Sequence, residues 1–90
     1  SEWGRSLGYL ETLIQHTSHN AQALLLRAKI YSHQGKPYMA LADLHRATDH
    51  DNDFIEAYML MEGIYTDLGN VDKVESIKAR INAIHNARTN

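Results

Sequence analysis

Six histidines, a run of aspartates and a scattering of hydroxyls are the residues of this chain whose types could hold a metal or do catalysis. A histidine metal site on a helix needs rings one turn apart with further ligands converging on them. His16 and His19 are three apart but straddle an expected helix end and loop, and His45 and His50, five apart, share no helical face. Asp49, Asp51 and Asp53 alternate as the start of a calcium loop would, yet no Gly and no closing Glu follow at the required spacing. Ser and Thr occur without a nucleophile elbow, and no Gly-rich phosphate loop is present. Gly35 and Gly69 are explained by turns. The expectation is therefore a chain with no catalytic residue, no metal and no cofactor. The histidines keep an electrostatic role, since acidification through their ordinary pKa near 6.5 would turn the net charge positive.

The elements that would position any site read as helices throughout. Trp3, Leu7, Leu10, Leu13 and Ile14 share one face of a first helix over residues 2–17. Asn20 suits the N-cap of a second, which runs to about residue 34 and stops at Gly35. Pro37 fits the first turn of a third helix, ending near His50, because its missing N–H costs nothing there. Asp53 or Asn52 can cap a fourth that reaches Leu68. The fifth carries Val71, Val74, Ile77, Ile81 and Ile84 at i+3/i+4 steps towards Ala87.

These elements recur. Ala23, Leu26, Ile30, Tyr31, Gly35, Arg46 and Asn52 return 34 positions later as Ala57, Leu60, Ile64, Tyr65, Gly69, Arg80 and Asn86. Leu7, Leu10 and His16 anticipate Leu41, Leu44 and His50 at the same offset. A period of this length marks an array whose units bury their apolar faces only against one another. In the first copy Leu24, Ala28, Tyr31, Gly35, Ala40, Leu44 and Ala47 stand in a pattern that resembles the tetratricopeptide repeat (TPR) family. The second copy keeps Tyr58, Tyr65, Gly69 and Val74, but has Glu62, Lys78 and Ile81 where the family has small, bulky and small residues. Asn52 and Asn86 stand where the family has Pro. The resemblance implies an all-α fold, antiparallel helix pairs stacked as a right-handed superhelix of about five helices. A single domain over residues 1–90 would comprise the second helix of a leading half repeat (1–19) and two full repeats (20–53 and 54–87).

Arg27 and Asp43 both fall on stripes expected to face the interior, where the second copy carries Met61 and Ile77. Two explanations compete, an anion-binding Arg27 in a groove and a buried ion pair. The exchange of a charged pair for an apolar pair favours the second, because it is what contact between the two positions would produce.

Binding is then expected on a surface. In the family the first helix of each unit lines a concave face that takes extended peptides or helices. Here that stripe is Gln22, Leu25, Leu26, Lys29 and His33, followed by Glu56, Met59, Leu60, Gly63 and Asp67. Met59 would suit an adaptable surface and Gly63 a close approach of a ligand backbone. The implied function is a non-enzymatic scaffold or adaptor for a peptide or helix with apolar content. Of the residues with which the chaperone-binding subclass clamps a carboxylate, only Lys29 has a counterpart, so chaperone tails are not the expected ligand. The alternative is self-assembly, a homo-oligomer stacking through the fifth helix, whose Ile84 would lie beyond the reach of the fourth.

Composition narrows the partners further. Ninety residues without cysteine, at a formal charge of -2, offer no disulfide framework and no basic stripe for nucleic acid. No apolar run approaches membrane-spanning length and no signal-peptide pattern opens the chain, so no membrane insertion is expected. The sequence starts at Ser1 inside what reads as the second helix of a repeat, so a piece of a longer protein is expected. The compartment stays open between cytoplasm and periplasm.

Overall fold

The computed structural model describes residues 2–16 and 20–89; His19, and Thr17 as the expected end of the first helix, lie outside them, as does the side chain of His16. The described chain is all-α. Its helices are α1 (Glu2–His16), α2 (Ala21–His33), α3 (Pro37–His50), α4 (Ile55–Asp67) and α5 (Val71–Thr89).

Local chemistry sets most of the boundaries. The Asn20 side-chain oxygen accepts the Ala23 N–H at 3.0 Å and opens α2, and that of Asn70 accepts the Lys73 N–H at 3.2 Å and opens α5. Pro37 occupies the first turn of α3. The start of α4 corrects the expectation of an Asp53 or Asn52 cap: Phe54 is the N-cap and gives no side-chain hydrogen bond. The nearby carboxylate is used one turn earlier, where the Asp51 side chain accepts the Asp53 N–H at 3.2 Å. Phe54 itself packs on the core.

The 34-residue period is written in the backbone. The Lys36 N–H donates to the Tyr31 carbonyl at 2.9 Å and the Gly35 N–H to that of Ser32 at 3.1 Å, a Schellman closure of α2. The Asn70 and Gly69 N–H groups donate to Tyr65 and Thr66 at 2.9 and 3.0 Å, closing α4 in the same way. Gly35 and Gly69 take φ of 73° and 74°, a left-handed conformation that costs glycine nothing. The same shift relates the bond from Leu24 to Asn20 to that from Tyr58 to Phe54, and the bond from Ala40 to Lys36 to that from Val74 to Asn70.

The copies part company after α3. Its C-cap Asp51 ends that helix, whereas the corresponding His85 lies inside α5, which runs on to Thr89. The extra turn is held in place: Arg80 and Arg88 donate to the carbonyls of Asn52 and Asp53, both at 3.0 Å, clamping α5 to the α3–α4 turn.

Packing follows the order of the chain. α2 lies most extensively against α3 and α4 against α5, while α1 rests on α2, α3 on α4, and α2 touches α4. One continuous core runs from Leu10 and Ile14 through Leu24, Leu25 and Leu44 to Met61 and Ile77. Burying each such side chain is worth about 1.5–3 kcal/mol. Ile84 is buried as well, which corrects the expectation that it lies beyond the reach of α4. Ile81 is half-buried and only Val71 of that stripe stands clear, so the apolar edge proposed for self-assembly is largely covered by the chain itself.

Candidate protein-binding site

α2 turns Leu26, Lys29, Ile30 and His33 towards α1, at i, i+3, i+4 and i+7. α1 answers with Trp3, Ser6, Tyr9 and Leu10, and between the two helices lies an open groove of about 400 Å³. Leu10 and Ile30 form its floor as parts of the core. The rim is aromatic: Trp3 is 47% and Tyr9 67% exposed. The Trp3 ring stacks on that of His33, centroids 5.8 Å apart and planes 18° from parallel, which fixes the mouth of the groove. Lys29 is the one full charge among the lining residues. The groove offers apolar and aromatic surface beside a cation.

Of the ten residues expected in the groove, Leu26, Lys29 and His33 meet here. Leu25 does not: it is fully buried, which corrects its assignment to a partner-facing stripe. The reason lies in register. Leu25 shares a helical face with Ser32, seven residues on, and Ser32 lines a cleft with Ile64, Asp67 and Leu68 of the second copy. Leu25 therefore lies on the side of α2 that carries this cleft, and it has no exposed surface. Its counterpart Met59 has no helix beyond it among the described residues and is 59% exposed.

The other members scatter. Gln22 and Gly63 are exposed, and a Cβ added at Gly63 would meet nothing within 4 Å. Leu60 is half-buried against the core. Glu56 lines a separate depression with Asp53, Phe54, His85 and Arg88, and Asp67 belongs to the cleft with Ser32. Trp3, Ser6, Tyr9, Leu10 and Ile30 were not among the expected site residues, although the signal was present. The 34-residue offset puts Tyr9 opposite Asp43 and Ser6 opposite Ala40, and so marks α1 as a helix of the same kind as α3.

Arg27 is not available to an anion. Its Nε donates to Asp43 Oδ2 at 2.7 Å and its Nη2 to Oδ1 at 2.6 Å, with both side chains mostly buried. The hydrogen-bonded carboxylate raises the Arg27 pKa above its ordinary value against the opposing effect of burial. The guanidinium also lies 5.7 Å from the centre of the Tyr31 ring. His45 is engaged too, its Nε2 2.9 Å from the Tyr65 hydroxyl across α3 and α4. Among the described residues no three His, Cys, Asp or Glu side chains gather where a metal ion could sit, and no helix is long and apolar enough to cross a membrane.

No protein-family model matches the chain, and no curated protein matches it.

Proposed function

We propose that this chain is a TPR-like scaffold domain without catalytic function, binding a partner protein through a peptide or helix with apolar content. The observation that carries the reading is the α1–α2 groove, where Trp3, Tyr9 and Leu26 stay exposed together around one apolar floor. Exposed aromatics clustered over a concave apolar surface are the usual make-up of a protein-binding site. The recurrence of helix ends and turns at 34 residues supports the TPR-like right-handed stacking.

Selection of displayed random peptides on the immobilised domain tests this. Enriched peptides should be rich in apolar residues, and Leu26→Glu should abolish their binding with the helical CD signal intact, because Leu26 is 42% exposed. Met59→Glu, at an exposed position on α4, serves as the control. Binding lost on Met59→Glu but kept on Leu26→Glu would move the site to α4, and no enrichment at all would overturn the reading.

A further inference from the structure

The two copies of the repeat bury several identical residues. Ala23, Ile30 and Tyr31 of α2 return as Ala57, Ile64 and Tyr65 of α4, all six buried, and the same glycine closure ends both helices. Helices this similar could exchange partners, α2 lying on α5 and α4 on α3, within one chain or between two. Misassembly and domain swapping of that kind are the characteristic failures of repeat proteins. The copies differ sharply at one pair of interior positions. The first has Arg27 on α2 and Asp43 on α3, bonded to each other and mostly buried; the second has Met61 on α4 and Ile77 on α5, both buried. Exchange would set Arg27 against Ile77 and Asp43 against Met61, leaving a cation and a carboxylate unpaired beneath a packed helix. Each would weigh against the exchanged form by about a hundredfold or more. Glu62 and Lys78, which replace Ala28 and Leu44, do not discriminate in this way. Neither is buried, so each long side chain can keep its charge in water.

We propose that the Arg27–Asp43 pair decides which helices pair: it holds α2 to α3, leaves α4 to α5, and bars the exchange of helices between copies within a chain and between chains. This role accounts for an ion pair in one copy and its apolar substitute in the other. Two apolar pairs would leave either partner acceptable. So would two identical ion pairs, since Arg27 would then find a carboxylate on either helix. Only unlike pairs tell the helices apart, as a single buried polar residue sets register and oligomeric state in a coiled coil. The pair acts here through specificity, whatever it adds to stability, and independently of any partner.

The experiment refolds the whole chain from urea over a wide range of protein concentration. Equal amounts of isotope-labelled and unlabelled chain are refolded together, and the products are weighed by native mass spectrometry. A swapped dimer holds both kinds of chain and keeps them after folding, whereas an ordinary dimer goes on exchanging them. Wild type should give little swapped dimer, and Arg27→Met with Asp43→Ile should raise its share by about tenfold or more. Two further variants carry the same new residues in opposite order, so the cost of placing charge in α4 and α5 falls on both. Met61→Arg with Ile77→Asp makes the copies alike and should also raise the swapped share. Met61→Asp with Ile77→Arg sets like charges together in every exchanged pairing and should keep it low. The proposal is overturned if Arg27→Met with Asp43→Ile swaps no more than wild type, or if the two second-copy variants swap equally. If neither of those two folds, the first comparison decides alone.

Discussion

Asp43 is the one buried carboxylate among the described residues, and each of its oxygens takes one N–H of Arg27. A buried charge of this kind is tolerated rather than stabilising, since desolvation offsets most of the attraction. Removing one member leaves the other unpaired. Asp43→Ala should therefore cost about 3 kcal/mol. Arg27→Met with Asp43→Ile, copying the buried Met61 and Ile77 of the second copy, should restore most of it. Urea melts that find the double variant no better than Asp43→Ala would refute the equivalence. The pH dependence has a definite sign. Because the Arg27 pKa is raised in the folded state, the pair's contribution from this group is complete below the ordinary arginine value and fades only in stronger alkali. The pair was legible in the sequence for a physical reason: the second copy holds its apolar substitute at the same two positions, an experiment already done within the chain.

The turns show the same period acting on whole elements. Gly35 and Gly69 hold the left-handed residue of two superposable closures, while Gly8 and Gly63 lie inside helices without positive φ and with open space around them. The four should respond to alanine with opposite signs. Gly35→Ala and Gly69→Ala should each destabilise by about 1 kcal/mol, from Cβ strain at positive φ. Gly8→Ala and Gly63→Ala should each stabilise by about 0.5–1 kcal/mol, from reduced backbone entropy of the unfolded chain. Thermal melts of the four single variants read this directly, and a loss at Gly63 would mean that its open face is already occupied. Helix ends marked by Gly, Pro or a capping Asn were legible because the responsible residue is the boundary residue. The start of α4 and the end of α5 were not. Phe54 takes the N-cap of α4 without a side-chain hydrogen bond, and α5 continues because Arg80 and Arg88 fasten it to carbonyls some thirty residues away in sequence.

At the scale of the molecule, the described chain is a slab of 41 × 29 × 16 Å, so a residue's burial depends on which helices flank its own as much as on its type. Register alone could assign Leu25 and Met59 to one stripe, because 34 residues separate them, but it could not say that the first is fully buried and the second exposed. For the same reason Ile84 read as an open edge although the chain buries it, and Trp3, which shares a helical face with the buried Leu10 and Ile14, is about half exposed. The contrast gives a test of the stacking itself, free of any partner. Leu25→Ala removes a fully buried side chain of α2 and should cost about 2–5 kcal/mol. Met59→Ala, at the equivalent place one copy later, should change stability by less than about 0.5 kcal/mol. Stacking predicts more than the difference. If Leu25 owes its burial to α4, then Leu25→Ala should loosen the second copy from the first, and hydrogen exchange should quicken in α4 and α5 before it does in α3. Equal losses at Leu25 and Met59 would mean that both face a common core, and the assignment of Met59 to an uncovered face would fail.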